Sequence, residues 1–194
     1  MAKKQSKKQP KKQSEELNIM GATVRRPTRP LETETAFGPP AQRREPLQLS
    51  VEIQNPTDSP LYVWASRRAY DYDATTHTLT LYLTEHTPPL PPGIEMISNH
   101  PRTPEQMEVG ARSSATMDIS VPAVMRRRVP GEGLGMSFVE EPIDQIDQVN
   151  FHIQYANEPI RPVAEESPSE HRERLRAHGT VMQAKIKPTE QKEK

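Results

Sequence analysis

The chain has 194 residues with 26 basic and 26 acidic side chains, 21 prolines, one tryptophan and no cysteine. The lack of cysteine excludes disulfides, thiolate metal sites and cysteine nucleophiles, and it fits a reducing, cytoplasmic setting. The zero net charge hides a gradient: residues 1–13 carry +6, residues 14–46 balance, residues 47–163 hold 8 basic against 15 acidic groups, and residues 164–194 stand at +1.

The N-terminus is a tetrapeptide array in which Lys3, Lys4, Lys7, Lys8, Lys11 and Lys12 recur in pairs before glutamine. Such a segment lacks the apolar surface to offset its ordering entropy, so residues 1–46 are expected to form a disordered, lysine-, glutamine- and proline-bearing tail. Its lysines suit weak, non-specific contact with a polyanion such as nucleic acid. No apolar run approaches the roughly 20 residues of a membrane span. The stretch Leu17 to Val24 is broken by polar residues and closed by Arg25 and Arg26, so no secretion signal is expected.

Strand periodicity begins at Leu47. Leu47, Leu49, Val51 and Ile53 alternate with polar residues, and Asn55-Pro56-Thr57-Asp58-Ser59-Pro60 then forms a connection. Leu61 to Ala65 is a second strand. There Leu61 and Val63 occupy one face and Tyr62 and Trp64 the other, so both faces are expected to be covered. Further strands are expected at Leu79 to Leu83, Met107 to Val109, Ala115 to Val121, Met136 to Val139 and Val149 to Tyr155. Tyr70-Asp71-Tyr72-Asp73 reads as a hairpin connection with solvated aspartates. Ser167-Pro168-Ser169-Glu170 offers an N-cap, and the short helix it starts stops at Gly179, after which Thr180 to Ile186 returns as an edge strand.

About seven strands without helices between them predict an all-β protein: one antiparallel β-sandwich over residues 47–163, followed by a charged segment, 164–194, with the helix. Strand count, spacing and the lone Trp64 in an early strand resemble the immunoglobulin-like sandwiches that serve as accessory domains. The resemblance implies a module that binds, spaces or presents something.

Candidate contacts are few. Arg126, Arg127 and Arg128 are expected on a loop, where guanidinium forks would suit phosphate or carboxylate oxygens. Pro88, Pro89, Leu90, Pro91 and Pro92 favour a polyproline II conformer that an aromatic groove accepts, or a stiff connection between strands. Glycines 131, 133 and 135 have the wrong spacing for a dinucleotide fingerprint. The six histidines show no metal-ligand spacing, and no nucleophile elbow occurs. No catalytic residue, cofactor or metal site is assigned. The expected function is therefore a non-catalytic, protein-binding or structural-accessory protein. A nucleic-acid- or ribosome-associated factor working through the lysine repeat is the alternative, and an enzyme with a dispersed site is the third.

Overall fold

A computed structural model of the chain describes residues 16–27, 30–33, 41–87, 103–130 and 136–191. In chain order its elements are β1 (Asn18–Arg25), β2 (Pro30–Thr33), β3 (Ala41–Arg44), β4 (Leu47–Gln54), β5 (Leu61–Trp64), β6 (Ala69–Asp73) and β7 (Thr78–Leu83). There follow β8 (Gln106–Val109), β9 (Ser114–Val121), β10 (Val124–Pro130), β11 (Met136–Pro142), β12 (Gln148–Ala156), α1 (Pro168–Ala177), β13 (Thr180–Ile186) and β14 (Thr189–Gln191).

The expected all-β sandwich with a short C-terminal helix is the architecture observed. One sheet runs β14-β1-β4-β9, and the other runs β6-β7-β12-β5-β8 with β13 beside β12. Alternation fixes the inward faces: Leu47, Leu49, Val51 and Ile53 of β4 meet a layer from the second sheet that includes Leu79, Leu81, Leu83, Val149, Phe151 and Ile153. Each such side chain contributes about 1.5–3 kcal/mol on burial. β10 and β11 form a separate two-stranded ribbon, as do β2 and β3.

Four expectations are corrected. The folded body starts before Leu47: β1 pairs antiparallel with β4, and Leu17, Ala22 and Val24 are buried in the core, so residues 16–27 do not belong to a disordered tail. The reason is edge protection, since β1 satisfies the outer hydrogen-bonding groups of β4 and covers the end of the core. The sheets are mixed rather than antiparallel, because β1–β14 and β7–β12 are parallel pairs. Tyr70 to Asp73 lies in strand β6, not in a connection. Tyr72 is buried there, with its hydroxyl donating to Gln145 O at 2.8 Å. Arg126 to Arg128 also lie in a strand, β10.

Sheet two has a seam. Strand β13 flanks β12 from Val149 to Tyr155, while on the opposite side β7 pairs with residues 148–153 and β5 pairs only at Tyr155 and Ala156. Strands β5 and β7 therefore meet end to end beside Gln154. The helix closes this break. Gln154 Nε2 donates to Leu175 O at 2.6 Å and to His178 O at 2.7 Å, while its Oε1 accepts from Thr84 Oγ1 at 2.8 Å and from Glu85 N at 3.1 Å.

α1 forms because Ser167 and Glu170 make a reciprocal capping box and Pro168 opens the first turn. Leu175 is its buried residue, so polar links hold it down: Arg174 to Glu166 at 2.7 Å and His178 Nε2 to Glu158 O at 2.9 Å. Gly179 then turns the chain into β13 with φ at +83°, where a Cβ would lie 2.1 Å from Tyr155 O.

Candidate interaction surface

One end of the sandwich is built on a buried asparagine. Asn55 leaves β4 fully buried, and its Oδ1 accepts from Thr57 N at 2.9 Å and Thr57 Oγ1 at 2.7 Å, making the side chain a local mimic of a turn. Its Nδ2 donates towards Ser59 O at 2.8 Å and towards Val109 O and Gly110 O, each at 3.0 Å. The same amide thus ties the β4–β5 loop to the β8–β9 turn. Two backbone bonds complete the link, Asn55 N to Ser113 O and Arg112 N to Thr57 O, both 2.9 Å.

These loops border a concavity of about 770 Å3, lined by Asn55, Thr57, Asp58, Arg112, Tyr155 and Asn157 among others. Arg112 sits at its rim in the left-handed region, φ +50°, which a non-glycine residue adopts only when its surroundings hold it there. Its guanidinium pairs with Asp58, and each group shifts the other: the Asp58 carboxyl is lowered and the Arg112 guanidinium raised, chiefly by their mutual hydrogen bond. Both side chains stay exposed. Asp58 and Arg112 thus neutralise one another at the rim, while the Asn55 amide is spent on the loop backbones.

A second concavity, about 790 Å3, lies on the outer face of sheet two. Register places Asp71, Thr80, Asn150 and Lys185 in one row across β6, β7, β12 and β13. In the row nearer α1, Tyr82 stacks on His152 with ring centroids 4.7 Å apart. Burial raises the Tyr82 hydroxyl, aided by the charge of Asp71, and lowers the His152 imidazole.

At the seam, Trp64 is wholly buried, the Arg68 guanidinium lies 5.8 Å from its ring centroid, and its Nε1 finds no acceptor among the described residues. Arg68 Nε and Arg172 Nε flank Glu85 at 3.4 and 3.8 Å.

Of the residues singled out in the sequence, Arg126, Arg127 and Arg128 stand in register opposite Glu140, Val139 and Phe138 of β11. Lys3, Lys4, Lys7, Lys8, Lys11 and Lys12 and the run Pro88, Pro89, Leu90, Pro91 and Pro92 lie outside the described residues. Asn55, Asp58 and Arg112 were missed as site residues. An asparagine opening a proline-bearing connection was a visible signal for a turn, but nothing in the sequence joins it to Arg112, 57 positions on.

No group of three or more histidine, aspartate or glutamate side chains among the described residues is placed to hold a metal ion. Among the same residues, no helix is long and apolar enough to cross a membrane. No protein-family model, curated protein or solved structure matches the chain.

Proposed function

We propose that the protein is a non-catalytic docking module of immunoglobulin-like plan, working in a reducing compartment, and that the loop end around Asn55 holds another protein. The observation that carries this reading is the preorganisation of that end, where one buried amide and a strained Arg112 fix two loops before any partner arrives.

The strand pairing supports the immunoglobulin-like part. If β1, β4 and β9 correspond to strands A, B and E and β5, β12 and β13 to C, F and G, the first three share one sheet and the last three the other. Trp64 then falls in strand C, buried as in such domains. The β4–β5 loop and the segment after β12 are the counterparts of connections that cluster at one end and serve recognition.

The lysine repeat favours a second reading, in which the tail supplies phosphate contacts for a nucleic-acid- or ribosome-associated factor. Affinity capture with the full chain, a chain starting at Glu16, and Arg112→Gly separates the two. Glycine keeps the left-handed backbone and removes the guanidinium, so the loop stays in place. The docking reading predicts a protein partner retained by the first two and lost from the third. Capture of nucleic acid alone, lost when residues 1–15 are removed, would overturn it.

A further inference from the structure

We propose that the outer edge of β9 pairs with β9 of a second copy, joining two sheets into the continuous order β14-β1-β4-β9-β9-β4-β1-β14. Among the described residues β9 pairs only with β4, and it closes the first sheet on that side. It spans Ser114 to Val121, eight residues with no proline, lysine or arginine and a single charge, Asp118.

The other edges are guarded. β14 has three residues, β8 and both strands of the β2–β3 ribbon have four, β6 carries Asp71 and Asp73, β13 lies against β1, and the β10–β11 ribbon contains arginines, glutamates and prolines. An unguarded, regular edge of eight residues is a template for strand addition.

The ladder shows which groups are offered. Asn55 N donates to Ser113 O, and continuing the β4–β9 register places Asn55 opposite Ser113, so residues 113, 115, 117, 119 and 121 direct their backbone groups towards β4. Ser114, Thr116, Asp118 and Ser120 therefore direct both N–H and C=O to the outer edge.

A two-fold axis perpendicular to the sheet pairs these residues with themselves in antiparallel order. Side chains directly opposite share a face, so the axis must pass through a residue position. Centring on Asp118 sets two carboxylates against each other. Centring on Ile119 brings in Pro122, which has no N–H to give. Centring on Met117 sets Thr116 opposite Asp118, Ser114 opposite Ser120 and Ala115 opposite Ile119. Asp118 already accepts from Ser50 Oγ through Oδ1 at 2.6 Å, and Oδ2 remains to accept from the threonine of the second copy. The occupant that this chemistry fits is a second copy of the chain.

Sedimentation velocity of the full chain over a concentration series tests the pairing. The wild type should shift from monomer to dimer as concentration rises, and Thr116→Pro should remain monomeric, since it removes an outer-edge donor and no β4–β9 bond. Thr116→Lys should tighten the dimer roughly two- to ten-fold by facing Asp118, and Thr116→Asp should loosen it by a similar factor. A wild type that is monomeric throughout, or a dimer indifferent to Thr116→Pro, overturns the proposal. Equal effects of lysine and aspartate at this position overturn the register.

Discussion

Gln154 and Thr84 are hydrogen-bonded side chain to side chain, 2.8 Å apart, where β5 and β7 meet end to end along β12. Both are fully buried, and through Gln154 the break in the sheet is joined to the C-terminal turn of α1. Removing that side chain takes the Gln154 partner from the His178 carbonyl and the Glu85 amide, and one of two partners from the Leu175 carbonyl, which also accepts from His178 N, and from the Thr84 hydroxyl, which also accepts from His86 N. Gln154→Leu is therefore expected to destabilise by about 2–4 kcal/mol in urea unfolding, although leucine is apolar and close in size. A loss below about 1 kcal/mol would mean that the seam does not depend on this amide.

Trp64 separates volume from polarity. Its ring is wholly buried while its Nε1 lacks an acceptor among the described residues. Trp64→Ala should cost about 3–5 kcal/mol, whereas Trp64→Phe, which also deletes the unpaired donor, should cost about 1–2 kcal/mol. Equal losses would show that the phenyl ring recovers none of the indole's packing.

Two glycines, Gly179 in the turn before β13 and Gly21 at the register slip inside β1, make a paired test. Gly179→Ala forces a Cβ against Tyr155 O in a left-handed backbone and should cost more than about 2 kcal/mol. A Cβ at Gly21 would meet nothing within 4 Å, so Gly21→Ala should stay within about 0.5 kcal/mol. Thermal unfolding of the two variants checks the contrast, and similar losses would contradict the turn geometry.

Acid should release the helix. The Glu166 carboxyl is lowered to about 2, first by its hydrogen bond from Arg174 and further by that from His171, against an opposing push from burial. A folded-state value below the unfolded one means that the latch contributes fully above the ordinary carboxylate range and is lost as pH falls through about 2. A carboxyl carbon titration by NMR should find the Glu166 midpoint near 2. A midpoint in the ordinary range would show that Arg174 does not hold it.

Where a strand buried one face in a regular period of two, it was legible: β4, β7, β9 and β12 follow directly from Leu47, Leu79, Ala115 and Val149. β1 was hidden by its own geometry. Its register slips between Ile19 and Gly21, so burial falls on Leu17 and then on Ala22 and Val24, and the alternation changes phase midway. In β6 the alternation of Tyr70 and Tyr72 with two aspartates was present, but the carboxylates read as turn chemistry. Tyr72 tolerates burial because its hydroxyl reaches Gln145 O. Gln154 sits on the polar phase of β12 beside His152 and Asn150. Only the backbone of a helix with a single buried residue, about 20 positions later in sequence, makes it an interior side chain.

The central claim is that a partner binds the end built on Asn55. Amide hydrogen exchange of the chain with and without its captured partner tests it most directly. The account predicts new protection at residues 55–60, 110–113 and 155–158, with little change elsewhere. Protection confined to the N-terminal lysine repeat, with the loop end exchanging as in the unbound chain, would contradict it.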